Sequence, residues 1–163
     1  MKAVYPKKKL GQHFLNDLNI AQKIVEILQN HEGKNILEIG PGMGVLTQYL
    51  IPKTENLKLV EIDTESVAYL NQKYPEMQEQ ILCEDFLIMD LSAVFQNEPF
   101  AIIGNFPYSI SSQIVFKALE YREFITFFCG MFQKEVAQRI CEKPGTKAYG
   151  LSLIHIWRCR RRG

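Results

Sequence analysis

Asn35-Ile36-Leu37-Glu38-Ile39, followed by Gly40-Pro41-Gly42-Met43-Gly44, is the stretch that decides the fold of this chain. The first five residues read as a buried strand. A glycine turn comes next, and Val45-Leu46-Thr47-Gln48-Tyr49-Leu50 continues as a helical run. Strand, glycine turn and helix in that order make a nucleotide-binding layout, because glycines let the backbone approach a ligand with no Cβ in the way. The spacing departs from the dinucleotide fingerprint G-x-G-x-x-G, since position 45 is Val and position 47 is Thr. The close packing on a pyrophosphate that a third glycine allows is therefore not encoded. Glycines at 40, 42 and 44 suit a ligand with an adenosine but no diphosphate, such as S-adenosylmethionine.

Working outward, the same unit repeats. Leu57-Lys58-Leu59-Val60 reads as a second strand and ends at Glu61, about 20 residues after the glycines, where an acid can accept from ribose hydroxyls. Asp63 reads as the cap of a helix starting near Thr64. Gln80-Ile81-Leu82-Cys83-Glu84-Asp85 is a third apolar run ending in acid. Asp85 has two readings, an acceptor for an adenine amino group or a helix cap. Phe100-Ala101-Ile102-Ile103-Gly104 is a fourth strand, and Asn105-Phe106-Pro107-Tyr108 follows it. Strands alternating with helical runs predict an α/β fold: a Rossmann-like, doubly wound, mostly parallel sheet. Ligands of such sheets bind at the carboxyl ends of the strands, where these residues fall.

Residues 105–108 suit a planar amino group. Asn105 offers a carbonyl oxygen, Pro107 a turn with a free carbonyl and no competing N–H, and Tyr108 a flat face for a ring. An amine conjugated to an aromatic ring is a poor nucleophile because its lone pair is delocalised. Two acceptors taking its two hydrogens favour a pyramidal nitrogen and free that lone pair. The competing reading is an Asn-Pro type turn closing a strand, with no chemistry attached.

Lys8-Lys9-Leu10-Gly11-Gln12-His13-Phe14-Leu15-Asn16-Asp17, Leu37-Glu38-Ile39-Gly40-Pro41-Gly42-Met43-Gly44, Glu61-Ile62-Asp63 and Asn105-Phe106-Pro107-Tyr108-Ser109-Ile110 together resemble the rRNA adenine N6-dimethyltransferase family. Gln133-Lys134-Glu135-Val136 with Arg139, and Lys147-Ala148-Tyr149-Gly150, draw the resemblance toward its small-subunit branch. The resemblance covers residues 7–150. It implies S-adenosylmethionine contacts at His13, Leu15, Gly40, Gly42, Glu61, Asp85 and Asn105, with Asn105, Pro107 and Tyr108 carrying the chemistry. It further implies transfer of two methyl groups to N6 of each of two adjacent adenosines near the 3′ end of small-subunit rRNA. The partner implied is a 30S precursor particle, with a role in ribosome biogenesis and a monomeric state at full length. One departure is Gly130, where the family often carries an aromatic residue; Phe128 and Phe132 are the candidates to fill that place.

The remaining segments fit this frame. Lys7, Lys8 and Lys9, with Lys2, form a basic cluster with no acid before Asp17, read either as a contact for RNA phosphate or as a solvated terminus. Asn16 or Asp17 can cap a helix whose Ile20, Ile24, Ile27 and Leu28 recur at helical spacing, read as core. No second His or Cys stands at ligand spacing from His13, which argues against a metal. Residues 109–121 read as an amphipathic helix, 124–132 as a central aromatic strand, and 134–141 as a further helix. Cys83, Cys129, Cys141 and Cys159 lack paired spacing and read as reduced, largely buried thiols of a cytoplasmic protein. No apolar stretch approaches a membrane span, and the start is not a signal peptide.

At 163 residues and 47% hydrophobic, the chain has length for one core. Residues 1–150 read as a basic segment plus a partial methyltransferase domain, with the last strands and a helical domain missing. Residues 151–163 resemble translated sequencing-adapter read-through. Four of the 19 basic side chains, Arg158 and Arg160 to Arg162, lie there, leaving 15 Lys and Arg against 18 acids in the rest. A chain ending so is expected to be poorly soluble or inactive, because an aromatic strand is left at an edge. Three other function classes compete: a resistance-type large-subunit rRNA methyltransferase, a non-catalytic ribosome assembly factor, and a nicotinamide oxidoreductase. Val45 and the lack of a Tyr/Lys proton-donating pair disfavour the last.

Overall fold

The apolar runs become strands β1 (Asn35–Ile39), β2 (Asn56–Val60), β3 (Ile81–Leu82), β4 (Phe100–Asn105) and β5 (Ile125–Met131) in a computed structural model that describes residue 15 and residues 17–30, 34–132 and 134–141. The strands form one sheet in the order β3-β2-β1-β4-β5, and every pairing is parallel. From β1 the chain winds outward to β2 and β3, then returns to lay β4 and β5 on the other side. The winding direction therefore reverses between β1 and β4, and a crevice opens there at the strands' carboxyl ends.

Helices α1 (Leu18–Glu26), α2 (Thr47–Leu50), α3 (Thr64–Lys73), α4 (Leu91–Val94) and α5 (Ser111–Glu120) connect or flank the strands. Alternation along the strands divides the core between two faces. Ile36, Leu57, Leu59, Ala101 and Ile103 pack with Ala21, Ile24 and Val25 of α1, Leu28 in the turn that follows it, Leu50 of α2 and Leu70 of α3. Leu37, Ile39, Val60, Phe100 and Ile102 alternate to the opposite side and are also buried. There the Phe95 ring lies 5.2 Å from that of Phe100, and the Lys58 ammonium donates to the Val94 carbonyl at 2.6 Å, seating α4. Burying side chains such as Leu37, Leu59 and Phe100 stabilises the fold by about 1.5–3 kcal/mol each.

Several local expectations need correction. Asp17 caps α1 as expected, accepting from the Asn19 and Ile20 amides, but Ile20 and Ile27 are exposed and the buried stripe is Ala21, Ile24, Val25 and Leu28. The stripe is rotated because Ala21 and Val25 complete an i, i+3, i+4, i+7 set that Ile20 and Ile27 only flank. The run at 80–85 yields only a two-residue strand, since among the described residues β3 pairs with β2 alone, through Ile81 and Leu82. Cys83, just past it, is exposed rather than buried, whereas Cys129 is half-buried. The aromatic strand β5 is not central: among the described residues it pairs only with β4, and its side chains are half-buried or exposed. The chain divides after Met131, and α6 (Lys134–Cys141) begins beyond it with Glu135 in its first turn, where an acid is favoured. Lys2, Lys7, Lys8, Lys9, His13, Cys159 and the segment 151–163 lie outside the described residues.

Candidate active site

A cleft opens at the switch point, lined by Leu15, by Glu38, Gly40 and Gly42 after and within β1, by Glu61 after β2, by residues 84–87 after β3, and by Asn105, Pro107 and Ser109 after β4. Seven of the residues read as functional from sequence, Leu15, Gly40, Gly42, Glu61, Asp85, Asn105 and Pro107, thus meet in one place.

The glycine loop is fixed by its own strand neighbours. The Gly40 amide donates to the Val60 carbonyl at 2.9 Å, extending the ladder one residue past β1. Gly40 has φ +65, a conformation in which a side chain is strained, and no atom of the chain lies within 4 Å of where its Cβ would stand. Glu61 is buried, and its carboxylate ties the loop down: Oε2 accepts from the Gly42 amide at 3.1 Å and Oε1 from the Asp63 amide at 3.0 Å. Burial pushes the Glu61 carboxyl up, and the two amides oppose that rise. Gly44 serves packing instead, because a Cβ there would stand 2.9 Å from the Tyr74 ring.

Glu38 is a site residue that the sequence reading left inside a strand. It is buried, lines the cleft, and accepts from the Thr47 hydroxyl at 2.7 Å through Oε2. Its Oε1 is buried without a hydrogen-bond partner among the described residues. Burial pushes its carboxyl up to about 8, with the nearby Glu61 adding to the rise and the Thr47 bond opposing it. A polar residue alternating onto a core face was the available signal, since Ile36 and Glu38 share that face.

Asp85 is half-buried and caps a turn rather than a helix: its carboxylate accepts from the Leu87 amide at 2.9 Å. The helix that follows, α4, is capped by Asp90. Asp63 does stand at the N-cap of α3, where its carboxylate accepts from the Ser66 hydroxyl at 2.9 Å.

Asn105 is the last residue of β4 and is half-buried. The free carbonyl expected at Pro107 is not free. It accepts from the Ile110 amide at 3.2 Å and the Ser111 hydroxyl at 2.7 Å, because the chain turns straight into α5 and those two donors stack beneath it. Tyr108 is 47% exposed and opens that turn beside the cleft. Phe106 points the other way, into the fold. Its ring stacks on Phe128 at 5.2 Å and 8°, so Phe128 is committed there and does not stand in for an aromatic at 130. Gly130 has φ +155, and a Cβ on it would stand 2.2 Å from the Gly104 carbonyl and 2.5 Å from the Phe106 ring. No aromatic side chain fits at that position.

The cleft matches an adenosine-bearing, positively charged ligand. It offers carboxylates after two strands, Glu61 and Asp85, one buried Glu38 carboxyl oxygen with no partner among the described residues, and a glycine whose missing Cβ leaves open space.

Sheet order, switch point and glycine loop define a Rossmann-like fold of the S-adenosylmethionine-dependent methyltransferase class. The same fold occurs in such a methyltransferase from Clostridium acetobutylicum, 20% identical with a TM-score of 0.51 over 69% of this chain and 50% of that one. A dimethyladenosine transferase from Plasmodium falciparum superposes with a TM-score of 0.73, 26% identity, and coverage of 89% and 52%. The 23S rRNA methyltransferase ErmE gives 0.67 at 31% identity, covering 78% and 50%. In sequence, the chain is 57% identical to ribosomal RNA small subunit methyltransferase A of Flavobacterium johnsoniae, across 93% of this chain and 58% of that protein. The protein of the same name from Bacteroides thetaiotaomicron is 52% identical over 96% and 60%. The family profile described as ribosomal RNA adenine dimethylase matches residues 5–157, so the likeness runs on past Gly150. This chain belongs to the ribosomal RNA adenine dimethylase family. It spans about three-fifths of the length of the curated relatives it matches.

Proposed function

We propose that this chain forms the cofactor and base pocket of an enzyme that dimethylates N6 of two adjacent adenosines near the 3′ end of small-subunit rRNA. The observation that carries the reading is the convergence of the Gly40–Glu61 loop, Asp85 and Asn105 on one cleft, with Tyr108 exposed at the turn beside it. When bound, S-adenosylmethionine supplies an electrophilic methyl group on a sulfonium. Glu61 would accept from ribose hydroxyls through the lone pairs its two backbone amides leave. Asp85 would accept from the adenine amine of the same ligand, and Leu15 would cover it.

On the substrate side, a target adenosine must leave its stack for its amine to reach the cleft. Tyr108 stacks on it, worth about 1–3 kcal/mol. Asn105 accepts one amine hydrogen and holds the nitrogen lone pair toward the methyl. The bound group would supply the methyl, its S–C bond exchanged for an N–C bond, and the amine's proton would leave to solvent. With its carbonyl taken by Ile110 and Ser111, Pro107 shapes the turn rather than holding the amine.

The small-subunit target is favoured over the large-subunit one by the higher identity to small-subunit methyltransferases, 57% against 31% to ErmE. The 30S precursor as partner, phosphate contacts from Lys7, Lys8 and Lys9, a monomeric enzyme and a cytoplasmic setting belong to the same proposal. Among the described residues, no helix is long and apolar enough to cross a membrane.

The test uses a version extended to the length of its relatives, labelled S-adenosylmethionine and unmodified 30S particles. Label on N6 of paired adenosines near the RNA 3′ end is expected. Asn105→Ala should slow transfer on the order of 10²–10³-fold. Label on 50S but not 30S particles would move the target to the large subunit, and normal turnover in Asn105→Ala would remove the mechanism.

A further inference from the structure

We propose that Lys117 is a positioning residue for the cofactor, setting from α5 the loop that carries Asp85; the inference rests on the cleft being an adenosine site. Lys117 is only 8% exposed, an unusual state for a lysine. Its ammonium donates to the Leu87 carbonyl at 2.8 Å and to the Met89 carbonyl. It lies 5.8 Å from the centroid of the Phe86 ring and 5.7 Å from that of Tyr121. Residues 84–87 of that loop line the cleft, whereas Lys117 itself does not.

The coupling runs through one residue. Leu87 is held at both ends, its amide by the Asp85 carboxylate at 2.9 Å and its carbonyl by Lys117. Moving Leu87 therefore moves the amide donor that holds the Asp85 carboxylate. The Asp85 carbonyl in turn accepts from the Ile88 and Met89 amides, and the Met89 carbonyl is the second partner of Lys117. The whole turn thus closes on one cation. Burial pushes the Lys117 ammonium down, with Glu120, Asp85 and Asp90 opposing that shift. Phe86, Met89, Ile114 and Ala118 are buried apolar side chains of the same two segments, so an apolar residue would serve packing alone at less desolvation cost. What the ammonium adds is a fixed position for two carbonyls.

The same helix also meets the other side of the site. Ser111, in its first turn, donates to the Pro107 carbonyl. Helix α5 thereby spans the base turn and the adenosine wall, and Lys117 is its contact with the second.

The test is titration of the chain with S-adenosylmethionine and, separately, adenosine, comparing wild type, Lys117→Met, Asp85→Ala and the double variant. Lys117→Met keeps the apolar stem and removes the donor. It should weaken both ligands about tenfold or more, the effect expected from losing hydrogen bonds to a charged group that orders a binding loop. In the Asp85→Ala background the same change should add almost nothing, because its effect travels through Asp85. Val115→Ala, a buried truncation in the same helix, should lower the melting temperature with affinity unchanged. Wild-type affinity in Lys117→Met, or full additivity with Asp85→Ala, would overturn the role of Lys117. Should Lys117→Met fail to fold, Lys117→Arg is titrated instead: weaker binding at a preserved melting temperature supports the inference, and wild-type binding overturns it. A wild-type chain that binds neither ligand defeats the adenosine reading of the cleft itself, a different failure.

Discussion

The wall of the cleft formed after β1, β2 and β3 is tied by hydrogen bonds to buried charged or acidic groups, whereas the turn at residues 105–108 carries a packed aromatic ring beside its backbone hydrogen bonds. Glu61 holds the Gly42 and Asp63 amides, Glu38 holds the Thr47 hydroxyl, and Lys117 holds two carbonyls of the loop after β3. Across the cleft, the Phe106 ring lies on Phe128 and over the backbone of Gly104 and Gly130. Buried polar ties respond to pH and to loss of one partner, because the other is left desolvated. A seated ring responds to volume. The two walls should therefore fail separately and in different ways.

The largest effect is expected on the packed side. Gly130→Val brings a Cβ to within 2.2 Å of the Gly104 carbonyl and 2.5 Å of the Phe106 ring, in a backbone conformation that disfavours any side chain. Overpacking of that kind costs about 3 kcal/mol. Phe106 must shift, and Asn105 and Pro107 on either side shift with it. A thermal melt should show the loss, and methyl transfer by the full-length form should fall further than cofactor affinity does. Equal losses in both readouts would mean that the walls are one mechanical unit.

A second prediction probes the polar side through pH. Glu38 in the folded chain keeps its proton up to about 8, against an ordinary value of 4.5. Between those values the folded state binds the extra proton. Its contribution to stability is thus complete below about 4.5 and is lost as pH rises through about 8. Glu61, also raised by burial, contributes a decline of the same sign as pH rises through its own folded value. The wild-type melting temperature should drop between pH 6 and pH 9, and Glu38→Gln should flatten that slope, since the amide has no proton to lose. A wild-type slope as flat as that of the variant would show that Glu38 is ionised in the fold.

The contrast also explains what sequence could reveal. Strand ends at Gly40, Glu61, Asp85 and Asn105 were legible because apolar runs, turn residues and periodicity are local, and a doubly wound sheet brings all such ends to one edge. The sequence boundaries for β1 agree with the structure to the residue, and the described residues 134–141 are helical. Non-local partners were not legible. Lys117 meets carbonyls 28 and 30 residues away, and Gly130 is constrained by a strand that precedes it by a whole helix. The apolar sequence of β5 reads as a central strand, and its edge place among the described residues depends on which strands lie beside it. Glu38 was hidden by its neighbours, since one acid within an apolar strand looks like an interruption until its face is known.

The smallest effect is expected where the two kinds of support meet. Ser111 is fully buried and donates to the Pro107 carbonyl at 2.7 Å, while the Ile110 amide donates to the same oxygen at 3.2 Å. Ser111→Ala removes the shorter bond but leaves the carbonyl one donor, so no buried acceptor is orphaned. The cost should be about 1 kcal/mol, near the ordinary net value of one hydrogen bond. Because the Phe106 ring still seats the turn, methyl transfer should slow only severalfold and cofactor affinity should not change. The released lone pair offers a further check. If Pro107 holds the target amine once its carbonyl is freed, Ser111→Ala would turn over at least as fast as wild type. A slower variant keeps Asn105 as the acceptor and assigns Ser111 to holding the turn.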